Sequence, residues 1–175
     1  MAKPRKMLGR PDSEVCQRIM AFMETQSRKT LAAWAVSFAA QRYLPICESG
    51  LPEDTSLPDA VTACRAYLAG ERSLKAVKPC WKAAVDTARG LEDRPVIQAA
   101  ARAVATACGT IQTPTNALGF LFYGAAASAY AQVGLQAEKE TYEALALREF
   151  QEAYDSLQAV AVPEEEDPAK LNWNC

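Results

Sequence analysis

The stretch ATACGTIQTPTNALGFLFYGAAASAYA, residues 105–131, decides the fold class. It runs on Ala, Gly and aromatic residues, with one polar interruption from Gln112 to Asn116. Such a notch between apolar segments is either an active-site opening or a turn. Thr113 followed by Pro114 is the N-cap and N1 pattern of a new helix, and Gly109 suits the end of the preceding one. The notch therefore reads as a joint between two helices. Beyond it, residues 114–134 are apolar on every side, with Leu118, Phe120, Leu121, Phe122, Tyr123 and Tyr130. A helix of that kind is either buried or membrane-spanning. A bilayer needs about 20 apolar residues, and the Ala, Gly, Ser, Tyr and Gln132 content leaves this run weakly hydrophobic. An Ala-rich, buried central helix is expected, with Gly124, Ser128 and Ala131 admitting close neighbours.

Alanine occurs 34 times in the 175 residues. Ala is the best helix former and a poor strand former, and Val, Ile and Thr never gather into alternating runs. The expected fold is all-α, in one domain long enough to bury roughly 70% of its unfolded surface.

Working outward, punctuation marks about seven helices in a single bundle. Asp12 or Ser13 caps the first, which carries Val15, Ile19, Phe22 and Met23 on one face. Ser27 opens the second, with Leu31, Trp34, Phe38 and Leu44; Pro45 kinks or ends it. The third starts near Pro58 and stops at Gly70. Ser73 and Gly90 bound the fourth, where Pro79 implies a bend. Asp93 caps the fifth, with Pro95 in its first turn. The sixth is the buried helix already described. The seventh spans EKETYEALALREFQEAYDSLQAV and is amphipathic: Leu147, Phe150, Tyr154 and Leu157 form its inner face, while Arg148, Glu149, Glu152 and Asp155 lie outside. No linker divides the chain. Residues 1–12 read as a solvated N-terminal arm holding the basic KPRK cluster and Arg10, residues 13–160 as the helical domain, and residues 161–175 as an acidic C-terminal tail whose Leu171 and Trp173 can dock back onto the body.

Charge and composition exclude whole classes of function. Net charge is −2, which gives no case for nucleic acid, and no segment points to a membrane. Acid gathers from Glu138 to Asp167, where ten carboxylates face only Lys139 and Arg148. The six cysteines (16, 47, 64, 80, 108, 175) contain no C-x-x-C and match no zinc spacing. Four sit in apolar helical patterns, where free Cys behaves as a small hydrophobe; a terminal Cys175 could form intermolecular disulfides. A start without a signal peptide points to the cytoplasm. Histidine is absent, so Ser–His and Cys–His nucleophile pairs and His-ligated zinc are impossible within the chain. No catalytic residue, metal ligand or cofactor is assigned.

Three segments carry a family resemblance. LAAWAVSFAAQRYLPICES precedes a short Pro/Asp loop and LPDAVTACRAYLAGE, and an Ala-rich helix pair ends in AAARAVATACGTIQTPTNALGFLFYGAAASAYA. The ordered features are Trp34, then Leu44, Pro45 and Glu48, then Arg65, Tyr67, Gly70 and Glu71. Over residues 28–134 the chain resembles the bacterial immunity-protein-five-like family. The resemblance implies an all-helical cytoplasmic protein that neutralises a cognate toxin made by the same cell, with no catalytic residues to carry over. Relatives usually place histidines in the segment equivalent to TACGTIQTPTNALG; this chain has none.

Three roles follow as expectations. The first is a non-catalytic binding protein whose partner is a toxin, met through the carboxylates Glu149, Glu152 and Asp155, since complementary charge speeds capture and sets partner choice. The second is an enzyme or ligand-binding protein with an interhelical pocket lined by Trp34, Tyr43, Glu48 and Arg65. In a structural version of that arrangement, Glu48 and Arg65 form a buried ion pair between the second and third helices. The third is a structural or oligomerising helical module.

Overall fold

Three serines begin helices, and each does so by the same means. In the computed structural model, which describes residues 3–174, Ser13, Ser27 and Ser73 hold extended backbone and accept a hydrogen bond from the amide three residues on. They start α1 (Glu14–Met23), α2 (Arg28–Arg42) and α5 (Leu74–Arg89). A side-chain oxygen there satisfies one of the amides that a helix start leaves without a partner. Gly90 closes α5, and the chain passes through Pro79 as one helix.

The bundle has eight helices, not seven, among the described residues. Pro45 explains the difference. Lacking an amide proton, it cannot continue α2, so α2 ends at Arg42 and a short α3 (Leu44–Gly50) begins with Pro45 in its first turn. Tyr43 sits at the break. After it come α4 (Ser56–Leu68), α6 (Pro95–Gly109), α7 (Asn116–Val133) and α8 (Lys139–Val160). No strand occurs among these residues; one isolated bridge joins Ser27 to Pro168.

Residues 110–115 turn between α6 and α7. The new helix starts two residues later than Thr113–Pro114 suggests, because Gln112 and Thr113 still bond back to the Gly109 carbonyl. Arg94, not Asp93, occupies the cap position of α6. No residue of α6 is exposed, and none of residues 116–130 of α7. Helix α6 packs against α2, α3, α4, α5 and α7. Its buried face is Ala99, Ala100, Ala101, Ala103, Ala105 and Ala107 around Val104 and Cys108. Small side chains let helix backbones approach closely, and such an interior packs at crystal-like density.

The closest approach falls at Gly124 of α7. A Cβ added there would sit inside the Tyr43 ring. Tyr43 is fully buried, and its ring joins a cluster with Phe38 (6.0 Å between centroids) and Phe120 (6.3 Å). Trp34 completes it, 5.5 Å from Phe120.

Both chain ends lie on this body. The backbone of the N-terminal segment is held although Lys3, Arg5, Lys6 and Arg10 are exposed: Leu8 is buried, its amide donates to the Phe122 carbonyl (3.1 Å), and the Tyr130 hydroxyl donates to the Arg5 carbonyl (2.7 Å). The basic side chains of the arm are thus solvated while its backbone is docked. Of the cysteines, Cys16, Cys47, Cys64 and Cys108 are buried and Cys80 is half-buried; Cys175 lies outside the described residues. No described helix is long and apolar enough to cross a membrane.

Replacing Gly124 with alanine should destabilise the fold. Overpacking a filled site typically costs about 1–3 kcal/mol, against a gain of about 1 kcal/mol in helix propensity. Urea unfolding should show a lowered midpoint; a midpoint at or above that of the parent chain would mean that Tyr43 does not rest on Gly124.

Candidate partner-binding surface

The expected acidic patch begins with α8, and the helix is rotated relative to its sequence reading. Its buried face is Ala146, Glu149, Phe150, Ala153 and Leu157. Leu147, expected inside, is 56% exposed, while Glu149, expected outside, is 3% exposed. The reason is a partner that crosses from α2. Arg42 Nε donates to Glu149 Oε1 at 2.9 Å and Nη2 to Oε2 at 2.6 Å. The Tyr43 hydroxyl donates to the same Oε1 at 2.7 Å. A carboxylate leaves water readily only when it is paired and hydrogen-bonded in this way.

The remaining patch residues are also engaged. Glu152 meets Arg42 Nη2 at 2.6 Å and Arg148 Nε at 3.1 Å. Asp155 accepts from Gln151 at 3.0 Å. The guanidinium of Arg42 lies 5.3 Å from the Phe38 ring centroid. Burial works against its charge, but hydrogen bonding and attraction from Glu149, then Glu152, hold its pKa above the ordinary arginine value. Burial, and next the Glu149 carboxylate, push the Tyr43 hydroxyl well above the usual phenol range. Burial likewise pushes the Cys47 thiol up to about 12. Neither group is poised to act as a nucleophile near neutral pH.

The four residues expected to line a pocket do not meet. Trp34 and Tyr43 are buried in the aromatic cluster, with Trp34 Nε1 donating to Ser156 Oγ at 3.2 Å. Glu48 and Arg65 are both exposed and do not pair with each other or with another described residue. The buried Glu–Arg pair of this protein exists, but it is Glu149 with Arg42. Sequence reasoning missed Arg42 because one arginine near a helix end carries no pattern.

The acidic tail is likewise docked, and Glu165 anchors it. Its carboxylate accepts from the Ser27 amide (2.7 Å), the Ser27 hydroxyl (2.6 Å) and the Thr30 hydroxyl (2.6 Å). Gln26 bonds Val162 through both ends of its amide, the Ala169 amide donates to the Gln26 carbonyl (2.8 Å), and Trp173 Nε1 donates to Glu24 (2.9 Å). Glu164 and Asp167 flank this anchor with φ of 49° and 56°, a left-handed backbone that non-glycine residues seldom adopt. Partial burial opposes the Glu165 charge, yet the hydrogen bonds from Ser27 and Thr30 outweigh it and hold the carboxyl below the ordinary glutamate value.

A sequence profile described as "Imm-5 like putative immunity protein" matches residues 21–156, from the end of α1 to the last turns of α8. The chain belongs to that family. Neither the curated proteins nor the solved structures give a significant match. The family match includes both partners of the Arg42–Glu149 pair and excludes the docked tail. The matched span covers α2 to α7 whole, the end of α1 and most of α8.

The pair predicts an asymmetry. Arg42→Met leaves Glu149 buried with only Tyr43 and should cost about 3 kcal/mol or more, in the range for breaking buried pairs. Glu149→Met should cost less, because Arg42 is 35% exposed and keeps Glu152. Chemical denaturation of both variants checks this, and equal losses would contradict the geometry. The tail predicts a pH effect. Because the folded pKa of Glu165 is depressed, its contribution is present above the unfolded glutamate pKa and lost as pH falls through the folded value. Trp173 fluorescence should report release of the tail below about pH 4.5, near the ordinary glutamate range. In Glu165→Gln the tail should be loosened already at neutral pH; identical profiles for the two proteins would remove Glu165 as the anchor.

Proposed function

We propose that this chain is a non-catalytic immunity protein that binds a cognate protein toxin in the cytoplasm and blocks it by covering its surface. Membership of the immunity-protein family, over a span that includes almost the whole helical body, carries the reading. The internal chemistry supports it. The ionisable cluster of Arg42, Tyr43 and Glu149 is satisfied by its own members and Glu152, and burial keeps the Tyr43 phenol and the Cys47 thiol protonated. A rigid, close-packed bundle suits tight binding, since a preorganised surface loses little conformational freedom on association.

The α8 carboxylates contribute less to this surface than their number suggests. Glu149 is internal, and Glu152 is shared by two arginines. Asp155 is the most available of the three. Charge on a rim mainly affects association rate and its salt dependence.

The test is co-expression with the neighbouring gene, read as growth rescue where that gene is toxic and as inhibition of its purified product. Stoichiometric inhibition at one chain per toxin is expected. Turnover of a substrate by the pure chain, or rescue at far below one equivalent, would overturn the non-catalytic role. Asp155→Lys should leave the capture rate at low salt within about twofold, as for a rim charge that is already hydrogen-bonded. A tenfold slower capture would return the main contact to α8.

A further inference from the structure

Away from α8, the segments α5, α6, α7 and the N-terminal arm enclose an open groove of about 550 Å³. Its charge is of one sign. Lys6, Arg89 and Arg102 line it, and no carboxylate does. Among the described residues no ion pair reaches Lys6 or Arg102, and Arg89 has only a 3.9 Å contact with exposed Asp86. In a chain of net charge −2, this is an unneutralised basic surface, unlike the α8 face.

The walls are apolar and fixed. Trp81 is half-buried, and its Nε1 donates to the Ala105 carbonyl at 2.9 Å, which sets the plane of the indole. Tyr123 also lines the groove, with the Arg102 guanidinium 6.0 Å from its ring centroid. Met7, 47% exposed, forms part of the rim. Trp, Tyr and Arg in one rigid cleft are the residues that most often dominate binding energy at protein interfaces, and a flexible methionine adapts to what docks beside them.

An independent observation comes from Gly119, inside α7 and on the groove floor. Glycine within a helix is less stable than alanine. At Gly124 close packing requires it. At Gly119 it does not: an added Cβ would meet nothing nearer than Thr106 Cγ2, at 3.9 Å. The fold gains nothing from the missing side chain, whereas the groove gains depth.

We propose that this groove docks an acidic segment of the toxin that carries an apolar or aromatic anchor. Carboxylates on that segment meet Arg102, Lys6 and Arg89, and the anchor lies between Trp81 and Tyr123 over Gly119. The open form of the groove suits a stretch of polypeptide, since small-molecule sites bury most of their ligand. The negative net charge and the exposed acidic tail disfavour a polyanion such as nucleic acid. The assignment rests on the immunity-protein reading for the partner's identity, while the chemistry of the groove stands by itself.

Two measurements test it on the full chain. In the first, a blocked pentapeptide with two aspartates on either side of a phenylalanine is titrated while the Trp81 indole resonance is followed. Saturable shifts are expected, lost in Arg102→Glu and in Gly119→Leu. Gly119→Ala should raise the melting temperature yet weaken the peptide about threefold or more, a split that a purely structural glycine would not produce. Absence of saturation, or equal binding by the variants, overturns the proposal, and so does tighter binding of a short oligothymidylate at the same resonances. Arg102→Glu, at a half-exposed position, keeps the test decisive if Gly119→Leu fails to fold. In the second measurement, Arg102→Glu should lose at least tenfold in affinity for the toxin neutralised in the co-expression assay, in line with an interface hot spot. Neutralisation that is untouched by Arg102→Glu sinks the groove and leaves the immunity role standing; peptide binding without any neutralised toxin does the reverse.

Discussion

Tyr43 is the point where the structure is tied together. Pro45 forces the break between α2 and α3 that places it; Gly124 leaves the space on α7 for its ring; Glu149 on α8 accepts its hydroxyl proton in a hydrogen bond. Three elements far apart in sequence meet through one side chain. Each depends on the others, because the ring cannot enter without glycine, and the carboxylate cannot stay buried without Arg42 and the phenol. The rotation of α8 follows directly: it turns Glu149 inward at the expense of Leu147.

Around this point the alanines set the architecture. Helix α6 meets its neighbours largely through alanine methyl groups, so the bundle resists deformation and its outer features keep fixed positions. That rigidity gives meaning to details of the surface. Trp81 does not swing freely, since the Ala105 carbonyl holds it, and the docked arm and tail are held by backbone hydrogen bonds at both ends of the chain.

Much of this was legible in the sequence, for local reasons. Ser13, Ser27 and Ser73 cap helices because a serine oxygen three residues before an amide is a local geometric fact. The Gln112–Asn116 notch is a turn because Gly109 and Pro114 restrict the backbone on either side. The illegible parts are long-range. Glu149 reads as a solvent residue until Arg42, 107 positions away, is brought opposite it. Glu48 and Arg65 read as a pair because both are charged and near in sequence, yet the short α3 leaves both on the surface. The acidic tail reads as able to dock through Leu171 and Trp173, but its anchor is a set of hydrogen-bond donors at the start of α2 that no spacing rule connects to Glu165. The groove was missed for the same reason: Lys6, Trp81, Arg102 and Tyr123 share no local pattern.

An inner network thus maintains the bundle, and the proposed docking face lies outside it. The most direct measurement is hydrogen–deuterium exchange of the chain alone and in complex with its toxin. Protection should be gained along residues 81–89 and 102–123 and in the segment around Lys6 and Met7, with the outer face of α8 unchanged. New protection confined to α8 and residues 161–174, with the groove exchanging as in the free chain, would contradict it.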